Sequence, residues 1–240
     1  MAKLDNRSYY DEFSTWYERE RHQGYHALID DLQTDLVMPA CNNADVLEVG
    51  CGTGLILRRV APVARSAIGI DLSAGMLHRA VARGLDVVQA DVTALPFADA
   101  SFDTVYSFKV LSHVRDLELA LAECARVTRP GGRLFLEFYN RRSLRYLVKR
   151  LAWPGAVSPN HRESDVYTRW YTLTELLGLL PQDLNLLGTA GVRVITPVAA
   201  VHQLPIVRTF IRQAEYMARD SRRLSHYGGF LVLVLQRRDA

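Results

Sequence analysis

The chain has 240 residues, 49% apolar and 23% charged, which supports one sizeable hydrophobic core and excludes a disordered or fibrous protein. The longest apolar run, residues 230–235, is far shorter than the roughly 20 residues that cross a bilayer, so we expect no membrane span. Charged residues at the start occupy the place of the apolar stretch of a secretory signal, and we expect a cytoplasmic protein. Three cysteines without a C-x-x-C pair, Cys41, Cys51 and Cys124, indicate reduced, buried thiols.

The net charge of +3 is distributed unevenly along the chain. Residues 1–130 carry 13 Lys and Arg against 18 Asp and Glu, a net charge of −5, whereas residues 131–240 carry 16 against 8, a net charge of +8. Nearly all of the basic residues are arginines, which suit contacts with carboxylate or phosphate groups. A biased genome composition would explain the same excess equally well, and both explanations stay open.

Helices and strands alternate through the first 140 residues. Helices are expected over residues 8–20 and from about residue 26 to Pro39. Ser73 and Asp116 are the expected N-caps of two later helices. The alternation predicts an α/β fold: a doubly wound, mostly parallel seven-stranded sheet with an antiparallel last strand, helices on both faces, and N-terminal helical and C-terminal cap elements. Short apolar runs predict its first five strands at residues 45–49, 67–70, 86–89, 103–108 and 133–138.

The C-terminal third is less regular. A basic helical piece over residues 143–151 and an aromatic stretch over residues 167–171 suggest a lid or substrate cap. Strands are expected at residues 186–196 and 230–236, paired as antiparallel neighbours, with a helix from Pro205 to about Asp220 between them.

Gly50, Gly52 and Gly54 directly follow the first predicted strand, where missing Cβ atoms allow a tight turn and close approach of a ligand. The dinucleotide fingerprint G-x-G-x-x-G requires glycine at the position of Leu55, and the Gly-Lys-Ser/Thr sequence of a phosphate-binding loop does not occur. The spacing G-x-G-x-G therefore disfavours a pyrophosphate ligand.

Two acidic residues end neighbouring strands beside this turn. Asp71 can accept hydrogen bonds from a ribose diol, although a simple cap of the next helix is the alternative, for which Ser73 is better placed. Asp91 could accept from an exocyclic amine such as adenine N6, with Val92 and Met76 as apolar walls. An ordinary turn aspartate explains Asp91 almost as well.

Four segments resemble, in order and at family spacing, the motifs of class I S-adenosylmethionine-dependent methyltransferases. They are residues 46–54 (VLEVGCGTG), 68–73 (IGIDLS), 91–97 with 101–103 (DVTALPF and SFD) and 126–132 (RVTRPGG). Tyr10-Asp11 and Trp16-Tyr17-Glu18 are similar to the N-terminal helix of the branch that contains the ubiquinone/menaquinone-biosynthesis methyltransferases, the type 11 branch. The resemblance covers about residues 45–138, and the last third of the chain matches only loosely.

The resemblance implies S-adenosyl-L-methionine as the cofactor. Gly50, Gly52 and the adjoining backbone would face its methionine portion, and Asp71 would hold the ribose hydroxyls. Asp91 and Val92 would hold the adenine.

By the same resemblance, Phe108 would lie near the sulfonium, Glu48 would orient the glycine turn, and Tyr17 would close over the cofactor. The full set of expected cofactor-binding residues is Tyr17, Glu48, Gly50, Cys51, Gly52, Gly54, Asp71, Leu72, Met76, Asp91, Val92 and Phe108.

Methyl transfer from a sulfonium depends mainly on positioning and a dry site, and it needs a base only when the acceptor is a hydroxyl or an acidic carbon. His113, on the loop after the fourth predicted strand, is the candidate catalytic base; the alternative is that it only shapes the loop. The other histidines form no metal-ligand spacing, so no metal is expected.

The expected cap mixes arginines with aromatic residues, which suits an anionic or aromatic small molecule or stacking on nucleobases, although solvated arginines and core aromatics explain most of them. Residues 107–110 (SFKV) stand in place of the Asn/Asp-Pro-Pro-Tyr/Phe element of amino-methylating nucleic-acid enzymes, which disfavours a nucleic acid partner. The cap residues are Arg141, Arg142, Arg145, Arg162 and Arg169, with Tyr139, Tyr146, Trp153, Tyr167, Trp170 and Tyr171.

We therefore expect an enzyme that transfers a methyl group from S-adenosyl-L-methionine to a hydroxyl or carbon of a small metabolite. A non-catalytic regulatory module that binds S-adenosylmethionine or S-adenosylhomocysteine and an RNA-directed methyltransferase are the alternatives. A single domain is expected, with N-terminal helices over the cofactor at 1–40, a cofactor-binding core at 45–138, cap elements at 139–182 and 197–227, and closing strands at 183–196 and 228–237.

Overall fold

Two helices precede the sheet in the computed structural model, which describes residues 6–14, 24–151, 156–158, 161–162, 166–196, 198–203 and 205–239. Helix α1 covers Asn6–Phe13 and α2 covers Gly24–Cys41. The expected end near Pro39 was wrong, because α2 continues through this residue in its last turn. Val37 and Cys41, both fully buried, keep the apolar face of α2 packed on either side of the proline.

A seven-stranded sheet in the described residues has the order β3-β2-β1-β4-β5-β9-β8. In this sheet β9, the last strand, runs antiparallel to its two neighbours, as predicted. The remaining pairs are parallel. A separate antiparallel pair joins β6 to β7. The strands are β1 Asp45–Val49, β2 Ser66–Asp71, β3 Asp86–Gln89, β4 Phe102–Ser107, β5 Thr128–Tyr139, β6 Ala156–Ser158, β7 His161–Arg162, β8 Leu184–Val192 and β9 Phe230–Arg237.

Helices cover both faces of the sheet, as predicted. Leu47 and Val49 of β1 point into a hydrophobic cluster shared with α5 and α7, and Val46 points into a second cluster shared with α2 and α3. None of the described helices is long and apolar enough to cross a membrane. The remaining helices are α3 Leu57–Val60, α4 Ala74–Val81, α5 Leu117–Val127, α6 Leu144–Leu151, α7 Leu173–Leu179 and α8 Pro205–Arg219.

The two expected N-caps differ in the structure. The Ser73 hydroxyl accepts a hydrogen bond of 3.1 Å from the Met76 amide, so the cap of α4 is confirmed. Asp116 precedes α5, but its side chain makes no capping hydrogen bond, since its backbone is not extended as an N-cap requires (φ −92°, ψ 64°). The start of α5 depends instead on the packing of Leu117 in the core.

Strand β5 begins earlier than expected, at Thr128. Residues 129–132, which precede the expected strand, form an irregular stretch of β5 where the register against β4 shifts. Strand β8 covers Leu184–Val192 and not 186–196. Its expected last residues turn away because the amides of Val194 and Thr196 donate to the Glu215 carboxylate of α8, at 2.7 Å each.

Part of the expected cap belongs to the core. Leu176 of α7 is 1% exposed and lies in the same cluster as α5. Tyr171, also 1% exposed, packs edge-on against Phe138 with ring centroids 5.8 Å apart. Tyr171 and Leu176 are therefore part of the core and do not cover a ligand at the carboxyl edge of the sheet.

Candidate functional site

The glycine turn after β1 has one open position between two closed ones. Gly50, Gly52 and Gly54 all have positive φ, at 74°, 55° and 79°. A Cβ on Gly50 would overlap the Val110 side chain, and one on Gly54 would overlap Leu85, whereas a Cβ on Gly52 would have no atom within 4 Å. The turn is thus packed at both ends, and its middle residue leaves room for a ligand to approach the backbone.

The carboxylate of Asp71 joins the ends of β1 and β2. Its Oδ2 accepts from the Gly52 amide and its Oδ1 accepts from the Ser73 amide, both at 2.9 Å. Burial raises the pKa of Asp71, and these amide donors act in the opposite direction. The carboxylate is therefore held in one orientation beside the open glycine, with each oxygen able to accept a second hydrogen bond.

Helix α1 is attached at the same place through Asp11. Its Oδ1 accepts from the Ser73 hydroxyl at 2.6 Å and from the Gly75 amide at 2.9 Å. These donors lower the pKa of Asp11. No role was expected for Asp11, although it lies in the segment that resembles the family. Tyr17, the expected closing residue, lies outside the described residues.

The residues expected around an adenine ring are partly exposed and partly packed. Asp91 is exposed, and its Oδ1 accepts from the amide and hydroxyl of Thr93 at 2.9 and 2.8 Å, so it closes a turn. Met76 and Val92 are 2% and 7% exposed, whereas Leu72, beside Asp71, is 38% exposed. Leu72 is therefore the member of this set with free apolar surface.

Three expected residues support the turn from beneath. The Glu48 carboxylate accepts from the Tyr106 hydroxyl at 3.1 Å and from the Leu57 amide, and burial raises its pKa to about 8. The Phe108 ring packs 5.5 Å from that of Tyr106, in the cluster that α2 covers. The Cys51 thiol is buried between the turn and β2, where burial raises its pKa.

His113 lies on a 3₁₀ turn after β4, 8% exposed, with both ring nitrogens engaged. Because Nδ1 lies 2.8 Å from the Tyr167 carbonyl oxygen, it is the protonated nitrogen, and Nε2 accepts from the Tyr139 hydroxyl at 3.2 Å. Burial lowers the pKa of His113 to about 4, so the ring is neutral near pH 7. The Tyr10 ring of α1 lies 6.3 Å away, which brings His113 to the same edge as the glycine turn.

A buried polar cluster that the sequence analysis missed lies under this edge. Glu137 of β5, 1% exposed, accepts from the Lys109 amide at 3.0 Å and from the Gln33 side-chain amide at 2.5 Å. Burial raises the pKa of Glu137 to about 7. The Lys109 ammonium pairs with Asp30 at 2.8 Å. A single acid within the apolar run of β5 was the available signal.

Within the described ranges, no group of three or more His, Cys, Asp and Glu side chains could hold a metal.

A cleft of about 640 Å³ lies at the opposite, amino edge of the sheet, between the end of α2 and the starts of β4 and β5. Three of its lining residues are charged, and two of them, Asp103 and Arg129, pair with each other at 2.6 Å. At the carboxyl edge, burial rather than ion pairing displaces the pKa values of Glu48, His113 and Glu137.

Comparison with known proteins agrees with the geometry of that edge. Residues 47–136 match a family model described as a methyltransferase domain. A ubiquinone biosynthesis O-methyltransferase of Rhizobium etli is 39% identical over 102 residues, which cover 40% of this chain and 41% of that protein. A demethylmenaquinone methyltransferase of Tropheryma whipplei is 34% identical over 156 residues, covering 58% and 64%. The chain spans about two fifths of the length of several other curated relatives.

A solved structure from Thermotoga maritima, an S-adenosylmethionine-dependent methyltransferase described as a possible histamine N-methyltransferase, has a TM-score of 0.68 to this chain. The two are 20% identical, and the match covers 97% of this chain and 99% of the other, a likeness that concerns the fold alone. The sheet order, the glycine turn and the match of residues 47–136 together make the central part of this chain similar to the class I S-adenosylmethionine-dependent methyltransferases.

Proposed function

We propose that the protein binds S-adenosyl-L-methionine at the carboxyl ends of β1 and β2 and transfers its methyl group to a hydroxyl or carbon of a small metabolite. One observation carries the proposal. The Asp71 carboxylate is fixed by the amides of Gly52 and Ser73, directly beside a glycine with open space on its Cα.

The residues at this edge fit the cofactor. Gly52 leaves space for the methionine portion, Asp71 offers acceptor oxygens to the ribose diol, and Leu72 offers an exposed apolar side chain to the adenine. Asp11, by holding Ser73 and Gly75, keeps α1 beside the ribose position. When bound, the cofactor supplies an electrophilic methyl group on a sulfonium.

The chain would contribute mainly position and exclusion of water. In a methyl transfer the sulfonium loses its charge as the acceptor attacks, so a low-dielectric site favours the transition state over the separated reactants. His113, Tyr139 and Tyr10 would form the aromatic border of such a site. As a base for a hydroxyl acceptor, His113 would act only through the Tyr139 hydroxyl that its Nε2 accepts from, and its low pKa of about 4 makes it a weak one.

We assign residues 45–138 to the cofactor and the elements at 139–182 and 197–227, as far as they reach the carboxyl edge, to the acceptor. The relatives from Rhizobium etli and Tropheryma whipplei are named for O-methylation in ubiquinone biosynthesis and for methylation of demethylmenaquinone, which supports a small cyclic acceptor.

Titration calorimetry with S-adenosylhomocysteine tests the cofactor assignment. Loss of the Asp71 charge in Asp71→Asn should weaken binding by about 1–3 kcal/mol, the scale of a charge-assisted hydrogen bond. The matched control is Asp86→Asn, an exposed acid at the amino end of β3, which should bind like the wild type. Equal affinities for all three proteins would refute the role of Asp71, and absence of binding would refute the proposal.

Turnover separates an enzyme from a binding module. Release of S-adenosylhomocysteine would be followed with a panel of phenols, quinols and carboxylates, and with a transfer RNA pool. Methylation of a small molecule supports the proposal. Cofactor binding without turnover on any acceptor would favour the regulatory module, and turnover on RNA alone would favour the RNA-directed alternative.

A further inference from the structure

Two arginines converge over one glycine at the carboxyl edge. Arg145 is the second residue of α6, and Arg193 directly follows β8. A Cβ built on Gly229 would lie 3.1 Å from Cδ of Arg145 and 3.3 Å from Cδ of Arg193. The two side chains therefore run past the same point, and a Cβ there would require both of them to shift slightly.

The Arg145 guanidinium is surrounded by aromatic rings. Its Cζ lies 4.4 Å from the ring centres of both Tyr139 and Phe230 and 5.2 Å from that of Trp170. Its Nη1 is buried and has no hydrogen-bond partner among the residues that the structure describes. A buried guanidinium N–H without an acceptor is costly, and an oxyanion is the group that would satisfy it best.

Arg193 adds a second charge to the same space. Its guanidinium lies 5.0 Å from the Tyr25 ring centre, and its Nε donates to the Thr196 carbonyl oxygen at 3.2 Å. Burial lowers the pKa of Arg193, and the neighbouring positive charge of Arg145 lowers it further. Two like charges held together in a partly buried place favour an anion between them.

The carboxylates that act on these arginines already have other partners. Glu137 accepts from Gln33 and Lys109. Glu215, fully buried, accepts from three backbone amides of residues 194–196 and from the Thr196 hydroxyl. Their hydrogen-bonding capacity is used to hold α2, β5 and the turn after β8, so neither serves Nη1 of Arg145.

The arginines lie next to the reacting part of the proposed site. Tyr139 is the ring under Arg145, and its hydroxyl bonds His113. His113 contacts Tyr10 of α1, whose neighbour Asp11 is bonded to Ser73 beside Asp71. A continuous series of contacts thus links the proposed ribose position to the two arginines, with the aromatic border between them.

From this arrangement we infer that Arg145 and Arg193 bind an oxyanion, a carboxylate or a phosphate, carried by the methyl acceptor. The aromatic rings around Arg145 suit an acceptor whose anionic group is attached to a flat ring. This inference rests on the proposed function, because it names the class of acceptor for the same site.

Calorimetry on the full chain saturated with S-adenosylhomocysteine tests it with three probes: 4-hydroxybenzoate, 4-hydroxyphenyl phosphate and the uncharged 4-hydroxybenzamide. At least one anionic probe should bind roughly tenfold or more tightly than the amide, the factor expected from a charge-assisted hydrogen bond. The anion that binds more tightly shows whether the acceptor carries a carboxylate or a phosphate. Equal binding of all three probes, or no binding of either anion at millimolar concentration, would overturn the inference.

Variants locate the effect. Arg145→Gln should remove the preference for the anion, whereas Arg150→Gln, an exposed arginine of the same helix, should keep it. Gly229→Ala should weaken binding of the anion, because its Cβ displaces both arginines. Gly188→Ala, where a Cβ meets no atom within 4 Å, should leave the binding unchanged. A full anion preference in both Arg145→Gln and Gly229→Ala contradicts the inference. Because S-adenosylhomocysteine affinity is measured separately, its loss would count against the proposed function instead.

Discussion

The two edges of the sheet use the same kinds of charged residues in opposite ways. At the amino edge, Asp45 and Asp103 both pair with Arg65 and with Arg129, at 2.6–2.9 Å, near solvent. Hydrogen bonds from Arg65 and Ser66 hold the pKa of Asp45 below its usual range. These groups stay charged and neutralise one another.

At the carboxyl edge, burial affects the pKa values more than ion pairing does. It raises the pKa of Glu48 to about 8 and that of Glu137 to about 7, and it lowers the pKa of His113 to about 4. Titratable groups with displaced pKa values cluster at functional sites because their uncharged forms survive near neutral pH. The two edges therefore differ in the cause of their displaced pKa values, which is ion pairing at the amino edge and burial at the carboxyl edge, where we propose the site.

The largest effect should come from closing the glycine turn. Gly50→Ala introduces a Cβ into the stiff Val110 side chain at a positive φ, and should lower the free energy of unfolding by about 2–4 kcal/mol in urea titrations. Adding Val110→Ala should recover part of the loss by removing the overlap. The control Gly178→Ala, in α7 with no atom near its Cβ, should be neutral or stabilising. A Gly50→Ala protein as stable as the wild type would show that the turn is not packed as described.

Glu137→Gln tests how the stability of the protein depends on the protonation of a buried acid at the carboxyl edge. Burial raises the pKa of Glu137 in the folded protein to about 7, above that of an exposed glutamate, so the folded protein retains a proton that the unfolded chain loses. The stability linked to this proton is complete below the unfolded pKa and is lost as pH rises through about 7. Wild type should therefore lose up to roughly 3 kcal/mol relative to Glu137→Gln between pH 5 and pH 8.

Urea titrations of both proteins across that range measure the difference. The exposed Glu118→Gln in α5 is the control and should follow the wild type above pH 5. Parallel curves for wild type and Glu137→Gln would mean that Glu137 is ionised throughout. The charges of Lys109 and Arg145, which lower the pKa of Glu137, would then outweigh its burial.

The smallest effect should come from the amino edge. Arg129→Ala breaks pairs with Asp45 and Asp103 whose partners remain near water, so stability should fall by about 1 kcal/mol or less, and less still in high salt. Affinity for S-adenosylhomocysteine should stay unchanged. Urea titrations at two salt concentrations and calorimetry test both points, and a loss of cofactor affinity would contradict the separation of the two edges.

Local sequence patterns predicted strands and helix caps correctly where the residues of the pattern themselves determine the structure. The apolar runs ending at Val49 and Asp71 became parallel strands, and Ser73 caps α4 as expected. They failed where distant packing decided the outcome. The α2 helix continues past Pro39 because its apolar face stays buried, and β8 ends at Val192 because Glu215 takes the next amides.

Some candidate site residues could likewise be predicted from the sequence, and others could not. The glycine turn and Asp71 could be found from the sequence, because a turn with positive φ requires glycine and a strand end carries one acid beside it. The clustering of Glu137 with Lys109 and Gln33 had no local signal beyond one acid in an apolar strand. Partners separated by 28 and 104 positions meet only when the sheet has formed.

By itself the sequence determined the alternation of strands and helices, the motifs of the cofactor edge and the excess of arginine beyond Pro130, since each depends on residue type and spacing. Only the tertiary structure decided which charges are neutralised. It pairs Arg65 and Arg129 at the amino edge with aspartates. It places Arg145 and Arg193 over Gly229 among aromatic rings, with one guanidinium nitrogen that has no acceptor in the described part of the chain. Burial and long-range proximity set that difference, and neither can be read from composition.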